Sequence, residues 1–363
     1  MHQRHIRGYH FTHKPWAFGS HSRIYSAPRE NVPDRSMQPG QGDNAIEVQK
    51  LTKIYSGKRG RPDVLALDKV SFHVGWGEFV ALLGENGAGK TTAIKILCTL
   101  VLPDDGEARV AGHDVVKHAD TVRSKIGWMH GETGGRALYW RLNAWDNLKF
   151  FAYLQNIPRD EASRRIKALI TYFDIEEYAS KLVKDYSTGM KVRLMLARTF
   201  LSNPDVLLLD EPTIGLDTSA AYETRRLLKL VNEELGRPIL FTSHNMFEVE
   251  KLCKRLILVH KGRVIAEGPP SRLTSELSKG DTVEVKVAST PDALEILVQE
   301  GLVRELLKTE FDGEASTVIA AVRDLRQAFS DIPGFLVQHG FRLISIKIAE
   351  PSLEEAFIRL TRE

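Results

Sequence analysis

The chain has 363 residues, 42% of them hydrophobic and 27% charged, with a formal net charge of +3. That is the composition of an ordinary globular protein of about two domains, and no run approaches the roughly 18 apolar residues that cross a bilayer as a helix. Six bases against three acids fall within residues 1–45, leaving 44 of each in the remainder, so the body lacks the concentrated basic stripe of a nucleic-acid channel and no nucleic acid is expected as a partner.

Residues 1–45 hold five of the twelve histidines and no acid before Glu30. They lack the apolar core of a secretory signal and are expected to be a disordered N-terminal extension, with Met37 an alternative start. From Ala45 to Gln49 and from Ser71 to Val74, branched residues mix with polar ones as in half-buried strands. Glu78–Leu83 reads as a buried strand, followed by a glycine-rich loop and a helical stretch from Lys90 to Leu100. A further strand ends near Trp128. Asn147–Tyr172 and Ser187–Leu201 have helical spacing, so a helical insertion is expected ahead of the later strands Val206–Leu209 and Ile239–Thr242, two short apolar runs of the kind a parallel sheet uses. Pro269-Pro270 and the turn at Gly280 mark a boundary. Beyond it Thr282–Val287 alternates as a strand, Asp292–Gln299 and Val318–Phe329 are expected to be helices, Arg342–Ile348 a strand, and Ser352–Leu360 a helix opened by a Ser352/Glu355 capping box. The expected organisation is an extension (1–45), a main α/β domain (46–270) and a small α+β accessory domain (271–363). Cys98 and Cys253 sit in apolar segments without CxxC or histidine-spaced neighbours, which excludes a disulfide framework or zinc site and reads as two buried free thiols in a reducing compartment.

Gly84, Glu85, Asn86, Gly87, Ala88, Gly89, Lys90 and Thr91 fit GxxxxGK[ST] between a strand and a helix. Glycines there let successive backbone N–H groups face phosphate oxygens, and the helix start adds its positive dipole end. Lys90 supplies a point charge, the Thr91 hydroxyl suits Mg²⁺, and Thr92 extends the phosphate-binding run. Val206–Leu209 leads into Asp210 and Glu211, two acids at the sheet edge onto which the phosphate loop also opens. Asp210 is expected to hold the magnesium shell, and Glu211 to orient or deprotonate an attacking water.

On these two halves, the chain resembles the nucleotide-binding domain of the ABC ATPases over about residues 46–270. Tyr186-Ser187-Thr188-Gly189-Met190, 23 residues ahead of Asp210 by its serine, is similar to that family's signature motif, although alone it reads equally as a helix cap. The resemblance implies a P-loop fold of ABC type, a mixed sheet with antiparallel β and helical subdomains, plus the accessory domain. It also implies that ATP and Mg²⁺ are bound, and that ATP is hydrolysed between two copies, or two homologous ATPase chains. Ser187, Thr188, Gly189 and Met190 would serve the partner's nucleotide. Tyr55 resembles the aromatic that stacks on adenine, with a core tyrosine the alternative. Asp217 resembles the D-loop acid, and His244, after Thr242-Ser243, the switch histidine acting beside Glu211. Glu132 stands where the family usually has a glutamine, and Thr188 and Met190 replace Gly and Gln in the signature.

The variant signature, the stretch Glu132…Arg136–Leu142 and the ending Pro351–Thr361 resemble the ABC-2 exporter branch. That resemblance implies transmembrane permease subunits as partners and a peripheral place on the cytoplasmic side of the cell membrane, with the Leu138–Tyr153 aromatics partly available for docking. A soluble non-transport ABC ATPase is the alternative. Such proteins tend to carry tandem ATPase domains, a coiled-coil insertion or a basic interaction arm, whereas this sequence has one ATPase domain, no long heptad run and a body of balanced charge.

Overall fold

Strands β1 (Asn44–Tyr55) and β2 (Val64–Gly75) alternate buried and accessible residues, so one face of the antiparallel ribbon they form is apolar. These elements come from a computed structural model, which describes residues 44–57, 62–130, 138–277, 282–290, 294–349, 353 and 357. The expectations for residues 1–43, Glu132 and the Ser352/Glu355 capping box lie outside the described residues.

Next come β3 (Phe79–Leu83), α1 (Lys90–Leu97), β4 (Asp105–Val110), β5 (His113–Asp114), α2 (Ala119–Lys125) and β6 (Ile126–His130). Strands β4 and β5 extend the ribbon into a four-stranded sheet, β2-β1-β4-β5. Three helices follow, α3 (Ala144–Leu154), α4 (Arg159–Tyr172) and α5 (Thr188–Thr199). The long helical run expected at Asn147–Tyr172 is therefore two helices, since Pro158 cannot continue the ladder of α3 and instead caps α4. Then β7 (Val206–Asp210), α6 (Thr218–Leu235), β8 (Ile239–Ser243), α7 (Met246–Leu252), β9 (Arg255–His260), β10 (Arg263–Gly268) and α8 (Pro270–Leu277) complete the first part.

The six-stranded sheet runs β10-β9-β3-β8-β7-β6, parallel except for β10. Strands β3, β7 and β8 are buried at every residue, the mark of a sheet covered on both faces. Alternate residues enter different cores. Ala81, Leu83, Leu207 and Leu209 join the helical side, whereas Val80, Leu82, Val206 and Leu208 face α1 and the antiparallel ribbon. Each of the valine and leucine side chains contributes about 1.5–3 kcal/mol by leaving water.

The remaining elements are β11 (Thr282–Ala288), α9 (Ile296–Gln299), β12 (Glu305–Phe311), β13 (Ser316–Ala321), α10 (Leu325–Gln338) and β14 (Arg342–Ile348). They form an antiparallel sheet, β12-β13-β11-β14, whose own core includes Val283, Val285, Val318, Ala320, Ile332 and Leu336. The helix expected at Val318–Phe329 is corrected here. Residues 316–321 alternate in burial and pair with β11, and helix begins only at Leu325, where Asp324 accepts from the N–H groups of Arg326 and Gln327. Of the helix expected at Ser352–Leu360, Leu353 and Phe357 are described, both helical and both packed into the helical-side core of the first part. The Leu353 N–H donates to Glu250 Oε1 on α7 at 3.0 Å. Among the described residues no helix is long and apolar enough to cross a membrane.

Candidate functional site

Buried β3 delivers the chain to the Gly84–Gly89 loop at the carboxyl edge of the parallel sheet, where crossovers leave a crevice for ligands. A Cβ on Gly84 would collide with the Val259 carbonyl oxygen, and one on Gly89, whose φ is +106°, with that of Ala66. Only glycine fits at these two places, so the loop can wrap tightly enough to aim its amides inward. Glu85, Asn86 and Gly87 form its exposed tip, Ala88 is buried, and Thr92 is half-buried in the first turn of α1.

Lys90, 4% exposed, opens α1. Its Nζ donates to the carbonyls of Gly84 (2.6 Å) and Glu85 (3.0 Å) and lies 3.8 Å from Glu211 Oε1. Burial pulls its pKa down; the carboxylates of Glu211 and Asp210 oppose this, and the net shift is downward. Thr91 donates to Asp210 Oδ1 at 3.1 Å.

Asp210 ends β7 and is 1% exposed. Three donors satisfy it: Thr91, Thr242 (to Oδ1, 2.6 Å) and the His130 ring (Nδ1 to Oδ2, 3.1 Å). The strand register accounts for two of these, since His130 and Thr242 lie directly across from Asp210 on β6 and β8. Neither residue was marked by the sequence, because no local motif announces a partner on a neighbouring strand. Glu211 follows with φ +51°, a left-handed backbone that costs a non-glycine residue about 1–3 kcal/mol. It is held there by its N–H to Thr242 Oγ1 at 3.0 Å, and its Oε2 lies 2.7 Å from His244 Nδ1.

Lys90, Thr91, Asp210, Glu211 and His244 therefore converge. Thr91 and Asp210 offer two hard oxygens beside an ammonium group, a donor set suited to Mg²⁺ whose remaining ligands are phosphate oxygens and water. Carboxylate and imidazole in contact can handle the proton of an attacking water.

Other predicted residues sit apart from this constellation. Ser187 is exposed and caps α5, its Oγ accepting from Met190 N–H at 3.3 Å. Thr188 begins that helix, and Gly189 packs against Ala220 in the first turn of α6. Asp217 caps α6 by accepting from Ala220 N–H at 2.9 Å. The signature segment and Asp217 thus form a second group, and among the described residues no hydrogen bond or ion pair joins it to Lys90. Tyr55 ends β1 and is 40% exposed, and Lys53 Nζ lies 5.6 Å from its ring centroid.

The profile of the ABC transporter family matches residues 67–214. The daunorubicin resistance ATP-binding protein DrrA3 of Streptomyces coeruleorubidus is 34% identical over 323 residues, 88% of this chain and 96% of that protein. The Nod factor export ATP-binding protein I of Burkholderia thailandensis is 36% identical over 317 residues, 87% of this chain and 96% of that one. Among solved structures, the ATP-binding cassette MJ0796, a dimer in a post-hydrolysis state bound to ADP and Pi, superimposes with a TM-score of 0.54 at 27% identity, covering 62% of this chain and 98% of that one. With the phosphate loop, the paired acids and the sheet order in place, these similarities carry one conclusion: the chain belongs to the ABC transporter family, as an ATP-binding subunit that hydrolyses ATP.

Proposed function

We propose that this chain drives an ABC-2 type exporter, binding and hydrolysing MgATP between two ATPase chains and passing the motion to a separately encoded permease. The observation that carries the reading is the division of the site. Lys90, Asp210, Glu211 and His244 meet at one edge, while Ser187 and Asp217 present exposed helix caps elsewhere. A second copy, or a homologous chain, facing this one supplies its own Ser187, Thr188, Gly189 and Met190 to the nucleotide held by Lys90. The full nucleotide site comprises Gly84–Thr92 for the phosphates, with Tyr55 as the platform for the base.

In this reading Thr91 and Asp210 would hold a magnesium ion, which would supply positive charge to offset that of the phosphates. Lys90 exchanges the carbonyls of Gly84 and Glu85 for phosphate oxygens. Glu211 takes the proton of the attacking water on a carboxylate oxygen, and His244 fixes that carboxylate through Oε2. Residues 46–270 form the ATPase domain and 271–363 the accessory domain. The exporter assignment draws on relatives named for daunorubicin resistance and Nod factor export, and in this reading the chain works peripherally on the cytoplasmic side of the membrane.

Two substitutions test the site. Glu211→Gln should lower phosphate release about 10²- to 10⁴-fold while leaving ATP bound, the range of a lost general base. Lys90→Ala should weaken ATP binding roughly 10- to 100-fold, the worth of charged hydrogen bonds. Equilibrium binding and phosphate release would together read both, and near-normal turnover by the glutamine variant would remove Glu211 from the chemistry.

A further inference from the structure

Glu248 is a carboxylate only 3% exposed, in the first turn of α7, four residues after His244. A buried charge persists only where partners satisfy it, and its partners come from three directions. Its Oε2 accepts from Thr213 Oγ1 at 2.7 Å and from Ser243 Oγ at 3.3 Å. Its Oε1 accepts from the Arg225 guanidinium at 2.9 Å. Thr213 lies in the loop between Glu211 and Asp217, Ser243 ends β8 immediately before His244, and Arg225 stands on α6, the helix that Asp217 caps. One side chain thus ties the loop leaving Glu211, the helix behind Asp217 and the strand end carrying His244.

Glu211 needs such a tie. It sits at φ +51°, and although its N–H is bonded to Thr242 Oγ1 at 3.0 Å, its side-chain contact with His244 joins two loops beyond the paired ends of β7 and β8. We propose that Glu248 is a positioning residue for hydrolysis: through Thr213 and Ser243 it fixes the Asp217 loop against the His244 strand end, so that the imidazole meets the Glu211 carboxylate. This rests on the roles given above to Glu211 and His244. Among the described residues no hydrogen bond or ion pair joins Glu248 to Lys90, Asp210 or Glu211; its side chain bonds to Thr213, Ser243 and Arg225, so its loss should slow turnover without weakening ATP binding.

Removing the carboxylate would strand the half-buried Arg225, so the mild probe is Thr213→Val, which deletes one hydroxyl and keeps the ion pair. Thr213→Ser restores the donor. In steady-state ATPase assays of the full chain, Thr213→Val should lower kcat about tenfold, one charged hydrogen bond's worth. KM for ATP should stay within about twofold, and Thr213→Ser should return kcat to near the wild-type value. Overturning results are a valine variant with wild-type kcat, a loss shared equally by kcat and KM, a serine variant as slow as the valine one, or a valine variant that does not fold, which would make the contact purely structural. Glu211→Gln in the same assay separates the two ideas: if it turns over normally the site reading fails, whereas if it is inactive and Thr213→Val is normal only the role of Glu248 fails.

Discussion

The six-stranded sheet that carries Lys90 and Asp210 differs from the β11–β14 sheet in how each satisfies its buried polar groups. At the first sheet's carboxyl edge, Asp210, Thr242, Ser243 and Glu248 are all buried, and five hydrogen bonds link their side chains to one another or to Thr91, Glu211 and Thr213. In the second sheet Thr282 and Ser316 are buried too, yet each hydroxyl donates to a backbone carbonyl, Ala349 at 2.8 Å and Ser289 at 2.6 Å. Side chains that bond only to backbone secure a chain end. Side chains that satisfy one another far apart in sequence form a network in which each member's position depends on the rest, and a reacting site requires that interdependence.

The contrast has an exception that can break it. Phe357 and Leu353 follow the second sheet in sequence but bury themselves in the helical-side core of the first. Phe357→Ala should therefore destabilise the ATPase part by about 3–5 kcal/mol, while Ile332→Ala, in the second sheet's own core, should cost about 2–5 kcal/mol there alone and leave ATP hydrolysis unchanged. Thermal unfolding with and without ATP tells them apart, because a ligand shifts only the transition of the part that binds it. If Phe357→Ala left the ATP-sensitive transition unmoved, the C-terminal return would have no energetic weight.

A smaller effect sharpens the same comparison at the other end of β3. Burial raises the Glu78 carboxyl pKa, but the Arg255 guanidinium (2.5 and 2.6 Å) and the Gly75 N–H more than offset this, so it lies below the usual carboxylate range. A depressed folded pKa contributes stability that is present above the unfolded value and lost as pH falls through the folded one. Glu78→Gln should accordingly cost roughly 1.5–3 kcal/mol at pH 7, with the difference shrinking under acid conditions as the wild-type carboxyl protonates. Urea melts at neutral and acid pH would check this, and a gap independent of pH would contradict the charged pair.

Much of this was legible in the sequence wherever chemistry dictates local spacing. Gly84–Thr91 and Asp210-Glu211 stand out because phosphate and a divalent ion need those groups within a few residues of a strand end. His130, Thr242 and Glu248 did not stand out, since His130 and Thr242 reach Asp210 across 80 and 32 residues by strand register and Glu248 reaches Thr213 across 35. In the second sheet, Val318–Ala321 had enough apolar residues to read as helix, and only pairing with β11 decided for strand. Strand β12, an edge strand with no fully buried residue, was not among the expected elements. The Asp324 cap was a legible start signal that the apolar run before it obscured.

The claim on which the functional account turns is that one chain's Lys90 and Asp210 and another's Ser187 enclose a single ATP. Sedimentation of the Glu211→Gln chain with MgATP measures this most directly. The account predicts a dimer holding two nucleotides that Ser187→Arg returns to monomers still binding ATP. A Glu211→Gln chain saturated with ATP yet monomeric, with no homologous chain to pair with, would contradict it.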